Sequence, residues 1–516
     1  MTLLNLRALQ PTLIKWANEL RRLDAEFPAA SIVVLLTVLV VMTSLIRWLR
    51  RRKLNVKILL ADEIRSSSAR ALEYCYRPRE LMLKGYDKYP DEVYGIDTRD
   101  GVKLVIPPRF LDDLKSHPSL SFKASIDNDM QVDYTYFGGP PEFVIHAIKA
   151  GMTASLPAYT PILNQMARTN MPRIMGNYKD WTSVNIHDRI LKLVGTTNAR
   201  VFLSQTASAD EEWVDASTGY VLSVFDCIRA LKEWPPWMRP FVYRFLPERT
   251  AIRKQWSKGR ARVQECMQER KTKDGPLGGP PSMLDHLSSG KNSHMADDLE
   301  KQLLFQMTLV AVGTVTTFAS TVQAVYDLVM HPEYISILRD EVESMPVDGN
   351  GMFTKEAIPA MQKLDSFIKE SQRLAAADLS TFQRAATANM TLPDGTFVPE
   401  GTKLEANTYS IHYDDAHYKN ASTFDGLRFY KQRQHPGHEN KHLYISVGKG
   451  DLSFGYGRHA CPGRYLGQLN IKLVMAELLR KYDLKAAGTQ APKSQAFEAL
   501  VSPDADFQIM MKNRQV

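Results

Sequence analysis

At 516 residues the chain has the length of about three average domains, although large enzymes built as one unit are exceptions to that rule, and its 44% hydrophobic content can fill a large core. Its four cysteines, Cys75, Cys227, Cys266 and Cys461, are widely spaced and make no C-x-x-C pair, which argues against a disulfide scaffold and a zinc site. Five of the formal +8 charges are Arg47, Arg50, Arg51, Arg52 and Lys53, one local cluster, so the basic balance does not call for nucleic acid.

That cluster follows Phe27–Ile46, an uncharged run of 20 residues. At about 1.5 Å per residue the run matches a bilayer core of about 30 Å and predicts a transmembrane helix. A cleaved signal peptide is disfavoured, because 26 residues precede the run and its apolar stretch is too long. With Trp48 at the interface, the positive-inside rule places the bulk of the chain in the cytosol. Residues 1–26 carry Leu6, Leu9, Leu13, Trp16 and Leu20 at roughly helical spacing, as either a lumenal segment lying on the membrane or a solvated tail. Residues 47–74 read as stop-transfer and linker, and 75–516 as the main domain.

Val93–Ile96 and Val102–Ile106 flank the turn signal Asp100-Gly101 and predict a hairpin, after which Pro107-Pro108 opens a helix. Most of the middle reads as helices with polar joints, and Asp274–Pro281, with three glycines and three prolines, is the clearest loop. Trp234-Pro-Pro-Trp237, Phe241, Tyr243 and Phe245 form an aromatic cluster that prolines break up, and numbers alone favour core. Leu303–Met330 is a long apolar helix pattern interrupted at Gly313–Thr317, where threonine hydroxyls bonding to the preceding turn would bend it. Glu370 and Arg373 stand three apart on one helical face, which by itself means a surface salt bridge. A second hairpin is predicted around Asp394-Gly395, followed by the strand-like Lys403–Ala406.

The stretch Phe454–Gly463 sets one cysteine in a glycine-rich turn that stops at Pro462, before leucines at helical spacing. Pro462 suits the first helical position, so Cys461 is expected at the positive end of a helix, stabilised as an anion. The glycines leave room for a flat macrocycle, and haem is the first cofactor to consider.

This segment resembles the haem-binding signature of the cytochromes P-450, in which a Phe, a Gly, a basic residue, the Cys and a Gly keep fixed spacing. The resemblance covers about residues 75 to 512 in order, and its wording is similar to membrane-bound enzymes of fungal secondary metabolism. It implies a mainly α fold with small β-sheets, the cytochrome P-450 fold behind an N-terminal transmembrane helix. Haem b (iron protoporphyrin IX) would be held by Cys461 as axial thiolate, with Phe454, Gly457, Arg458, His459 and Gly463 around it. His459 stands where the family usually has Arg; a neutral imidazole binds a propionate more weakly, and Arg458 is expected to share the task. Lys149 lies where the family places a propionate-binding Arg, and Arg384, after the substrate-contacting segment Ala375–Phe382, matches a second propionate contact. Glu370, Arg373 and Arg428 would form a buried structural network behind the cysteine loop.

Within the long helix, Gly313 and Thr316 match the family's dioxygen groove, but Val315 stands at the acid position, so Thr316, Thr317 and ordered water are expected to carry protons. The aromatic cluster falls between the two helices that roof the family's active site, making an apolar substrate route an equal alternative to core. The implied activity is a haem-thiolate monooxygenase that hydroxylates or successively oxidises an apolar, terpenoid-type secondary metabolite, single-pass in the endoplasmic reticulum membrane with its catalytic domain cytosolic. The chain has no Gly-rich dinucleotide or flavin motif, so electrons are expected from a separate NADPH-dependent cytochrome P-450 reductase, with cytochrome b5 as an additional donor. Two alternatives stay open: a reductase-independent haem-thiolate isomerase, dehydratase or peroxide-using enzyme, and a haem-binding membrane protein without turnover.

Overall fold

In the computed structural model, which describes residues 36–39, 42, 54–273 and 279–515, Asp100-Gly101 turns the chain between two antiparallel strands. Gly101 makes the turn at φ +107°, a conformation open to glycine. With β1 (Lys57–Ile58), the hairpin strands β2 (Tyr94–Thr98) and β3 (Gly101–Ile106) start a six-stranded sheet. β4 (Leu120–Ser121), β6 (Ser380–Ala386) and β9 (Lys403–Asn407) complete it in the order β1-β2-β3-β9-β6-β4. A three-stranded sheet runs β10 (Tyr482–Ala486), β13 (Gln508–Asn513), β5 (Thr182–Asn185). β7 (Met390–Thr391) pairs with β8 (Phe397–Val398) as the second predicted hairpin, and β11 (Gln495–Phe497) pairs with β12 (Leu500–Ser502).

The bulk of residues 56–516 is helical, as expected, and forms one unit. Its long helices are α1 (Thr153–Met175), α2 (His187–Phe202), α3 (Glu211–Lys232), α4 (Pro247–Lys273), α5 (Leu299–Met330), α6 (Gln362–Leu374) and α7 (Arg464–Lys481). α5 lies at the centre, packed against α2, α3, α4, α6 and α7. Asp298 caps it by accepting the Lys301 N–H, and Pro332 begins the next helix just past its end. The expected interruption at Gly313–Thr317 does not occur: α5 runs unbroken for 32 residues. Among the described residues it is the one helix long and apolar enough to cross a membrane, but it is mostly buried, a core helix.

Of the aromatic cluster only Tyr243 packs against the core, half-buried with its hydroxyl donating to the Tyr134 carbonyl. Trp237 is 72% and Phe245 86% exposed, and Phe241 and Trp234 also face outward, because short proline-broken turns between α3 and α4 give them no helix face to bury. Most of the Asp274–Pro281 loop lies outside the described residues, as do 1–26, most of 27–46, and 47–53.

One buried feature has no counterpart in the sequence expectations. Parallel pairing of β3 and β9 sets Lys103 opposite Lys403, a repulsive pair. Carboxylates separate them: Lys103 Nζ lies 2.9 Å from Glu405 and 3.9 Å from Asp129, and Lys403 Nζ lies 2.7 Å from Asp129. Asp100 accepts from Arg239 and sits 3.3 Å from Lys232, which in turn pairs with Glu498. These four cations and four anions all have side chains less than a tenth exposed. They tie the sheet to the end of α3, the aromatic segment and the turn of the β11–β12 hairpin. Such a cluster adds little net stability, but deleting one member leaves a buried charge unpaired, at a cost of about 3–5 kcal/mol.

Candidate active site

The cysteine loop is built by two left-handed glycines. Gly455 and Gly457 have φ +71° and +73°, and a Cβ on Gly457 would stand 2.7 Å from Lys115 Cβ, so the loop closes against that lysine only with glycine there. The Cys461 N–H donates to the Phe454 carbonyl at 2.8 Å, and the Phe454 ring meets Tyr444 edge-on at 5.3 Å. α7 begins at Arg464 with Gly463 as its N-cap, so Pro462 lies ahead of the helix and not at its first position. Cys461 still meets the helix start, since the backbone N–H groups of Gly463 and Arg464 bond to its sulfur. Burial nevertheless raises the thiol above its ordinary value, with those two N–H groups and the Arg464 charge opposing. A Cβ on Gly463 would meet open space, the room a flat macrocycle needs.

Beside the loop lie buried donors with no acceptor among the described residues. A bulge between Thr381 and Arg384, with Phe382 at φ +55°, turns Arg384 into the interior, 2% exposed. Its guanidinium lies over the Phe382 ring (4.2 Å) and the Phe122 ring (5.7 Å), and Nη2 has no hydrogen-bond partner. Burial, then the nearby Arg458 charge, pulls Arg384 down to about 10. His459 stacks on the same Phe122 ring at 5.4 Å. Its Nε2 accepts from Arg458 Nε at 2.9 Å; an Arg can only donate, so the imidazole proton sits on Nδ1, which is buried without a partner. Burial, then the Arg384 charge, holds His459 near 4, so it is neutral at pH 7. Two buried donors without an acceptor among the described residues, on side chains that share the Phe122 ring, suit an anionic group such as a haem propionate, and the donor chemistry fits the cofactor. Lys149 Nζ donates to the Arg458 carbonyl at 2.7 Å and closes the loop.

On α5 the matched residues divide. Val312 (43%) and Thr316, one turn apart at the middle of a buried helix, are exposed, so this face borders an interior space. Thr316 Oγ1 donates to the Val312 carbonyl at 3.3 Å. Gly313 points elsewhere: a Cβ there would strike Phe202 of α2 at 2.8 Å, so its small size serves helix packing. Thr314 accepts from Asn198 of α2, which accepts from Asn470 of α7. Thr317 is buried, with Oγ1 against Gly467 of α7, and does not share the Thr316 face. Of the residues expected to handle protons, the structure therefore sets only Thr316 on the open side.

Glu370, Arg373 and Arg428 meet in the core, not on the surface. Arg373 Nε and Nη2 donate to the two Glu370 oxygens at 2.9 and 2.8 Å, and Arg428 Nε donates to both at 3.0 and 3.1 Å. The remaining guanidinium protons bond carbonyls of His412, Lys419, Asn420, Ala421 and Thr423, which folds residues 412–425 around the pair. Glu370 is fully buried. Sequence reasoning missed Phe122 and Lys115, which pack on the loop from more than 300 residues away, and the buried charge cluster. A sequence signal for the latter exists: Lys103 interrupts the apolar run Val102–Ile106.

The sequence model of the cytochrome P450 family matches residues 143–511. The chain is 30% identical over 444 residues to cytochrome P450 monooxygenase AN1598 of Emericella nidulans, covering 84% of this chain and 83% of that one. It is 29% identical over 477 residues to cytochrome P450 monooxygenase braC of Annulohypoxylon truncatum, covering 90% and 94%. To cytochrome P450 monooxygenase BOA4 of Botryotinia fuckeliana it is 30% identical over 447 residues, covering 84% and 89%. The match spans the cysteine loop, its buried donors and the helix behind them, and the chain belongs to the cytochrome P450 family, oxidoreductases of the monooxygenase class that bind haem b through a cysteine thiolate.

Proposed function

We propose that this chain hydroxylates, or oxidises in successive steps, an apolar terpenoid-type metabolite of fungal secondary metabolism, using O2 and electrons from NADPH delivered by a separate cytochrome P-450 reductase. The observation that carries the reading is the conjunction of Cys461 at a helix start with the unpaired buried donors of Arg384 and His459. Haem bound there supplies the activation of dioxygen. Cys461 would hold the haem iron through its sulfur, on which the N–H groups of Gly463 and Arg464 converge. Arg384 and the Nδ1–H of His459 would hold the propionates, while Lys149 and Arg458 keep the loop closed. The apolar side chain of Val312 lines the space for an apolar substrate. Thr316 Oγ1, already donating to Val312, accepts from a water in that space and holds it as the proton source, since Val315 cannot exchange protons.

Replacing Arg384 by alanine removes an unpaired buried cation, so the apoprotein is expected to keep its thermal stability or gain some while haem per polypeptide falls. Full haem occupancy in the variant would remove Arg384 from the propionate site. For Thr316→Ala we expect product formed per NADPH to fall severalfold and hydrogen peroxide release to rise, with haem content unchanged; full coupling would show that the hydroxyl holds no proton source. The activity itself is tested by reconstitution with reductase, a terpenoid panel and labelled dioxygen, where the label should enter the product. A product without that label, formed without reductase, moves the assignment to an isomerase or peroxide-using enzyme.

For location we propose a single pass through the endoplasmic reticulum membrane with the catalytic domain cytosolic. Support comes from the Phe27–Ile46 run with its following basic cluster and from the outward-facing Trp237, Phe241 and Phe245, which suit a lipid interface. Protease added to intact microsomes is expected to digest the catalytic domain, and protection would reverse the orientation.

A further inference from the structure

Two helices grip the turn of α5 that carries Thr316 from behind. Gly313 packs on Phe202 of α2, where a Cβ would come within 2.8 Å of the ring, and a Cβ on Gly467 of α7 would meet Thr317 Oγ1 at 3.6 Å. Between these contacts runs a buried polar ladder. Asn470 Nδ2 of α7 donates to Asn198 Oδ1 of α2 at 3.2 Å, and Asn198 Nδ2 donates to Thr314 Oγ1 at 3.0 Å. All three side chains are buried. The hydroxyls of Thr316 and Thr321 serve α5 itself, donating to the carbonyls of Val312 at 3.3 Å and Thr317 at 2.7 Å, whereas Thr314 Oγ1 accepts from a neighbouring helix.

Apolar contacts alone tolerate a small slide or rotation of one helix on another. A buried amide does not, because losing its partner is costly, so the ladder selects one register of α5 against α2 and α7. Its outer end is placed as tellingly as its inner one. α7 starts at Arg464, whose N–H bonds to the Cys461 sulfur, and Asn470 lies within the first two turns of that helix. The ladder therefore refers the Thr316 turn to the element that begins at Cys461.

We propose that Asn198 and Asn470 are positioning residues for the reaction: through Thr314 they fix the Thr316 hydroxyl relative to Cys461. This rests on the reading of Thr316 as holder of the proton source and adds what keeps that hydroxyl in place. Neither amide moves a proton. A displacement of about 1 Å suffices to lose most of the benefit of a well-placed group, and Val315 offers no second polar group in the turn to take over.

The test uses the full-length holoenzyme with carbon monoxide as the probe. The infrared C–O stretch of the reduced, CO-bound protein responds to polar groups facing the bound gas, so it reports the Thr316 hydroxyl without any substrate. Thr314→Val removes the acceptor with little change of shape, and Thr314→Ser keeps it. Asn470→Ala cuts the ladder at its α7 end and leaves room for water beside Asn198, so it also serves should Thr314→Val fail to fold. Thr314→Val and Asn470→Ala are each expected to shift or broaden the band, with haem per polypeptide unchanged, and Thr314→Ser to keep the wild-type band. In a Thr316→Ala background the same two substitutions should move the band no further, a non-additivity that a merely structural ladder does not produce. With any terpenoid that is turned over, product per NADPH should fall about threefold or more in both variants. A wild-type band in Thr314→Val and Asn470→Ala, whatever their thermal stability, overturns the proposal. So does a change confined to Thr314→Val, or one that persists in full on top of Thr316→Ala. Thr316→Ala alone separates the two levels. If it leaves the band unmoved, the hydroxyl does not face the iron and the ladder's role falls with it; if it moves the band while the ladder variants do not, only the ladder fails.

Discussion

Cys461→Ala is expected to abolish the red-shifted Soret band that the reduced, CO-bound wild type should show, and with it all turnover. The reason is local. Among the described residues the other cysteines, Cys75, Cys227 and Cys266, are buried, and burial raises each thiol, to about 12 for Cys75 and Cys227. None meets a helix start as Cys461 does, with two N–H groups on its sulfur. No second thiol can take over the iron. Replacement by serine should give the same spectral loss with less change in packing. An unchanged spectrum in either variant would remove Cys461 as the ligand.

Glu370→Ala is expected to destabilise the protein by about 3–5 kcal/mol, a large part of the 5–15 kcal/mol typical of a folded domain. Removing this carboxylate leaves the Arg373 and Arg428 guanidinium groups buried without an anion, while their carbonyl contacts remain and cannot neutralise them. The variant should express poorly, unfold at lower denaturant and lose haem, because residues 412–425 are folded around that pair. A double variant, Glu370→Leu with Arg428→Met, should recover part of the loss, since it removes one unpaired charge. Equilibrium denaturation within about 1 kcal/mol of the wild type for Glu370→Ala would show that the network carries no structural weight.

The Phe454–Gly463 loop, both hairpins, the Lys403–Ala406 strand and the helical middle are legible in the amino-acid sequence, because they depend on residues close together in the chain, and local turn chemistry and spacing report them well. The misreadings share a different origin. Gly313 and Thr317 lie on one helix with Thr316, and the 3.6-residue period separates their faces, but only the positions of α2 and α7 say which face is open. The aromatic cluster looks like core by composition, yet Trp234, Trp237, Phe241 and Phe245 are exposed because proline-broken turns cannot present one face. Lys149, expected on a propionate, reaches the Arg458 carbonyl, a contact across 309 positions that only the fold brings together.

By itself the sequence singled out Cys461 as the candidate iron ligand and determined the glycines that shape its loop, the strand turns and the predominance of helix, because each is a matter of neighbours within about ten residues. Only the tertiary structure decided which donors are left without acceptors, which face of α5 borders the interior, and how the buried charges pair. Lys232 and Glu498 are 266 positions apart, and Glu370 and Arg428 are 58 apart. A charge is tolerable in the core only when its partner arrives, and which partner arrives is settled by the packing of helices and the register of strands, not by anything written beside it in the chain.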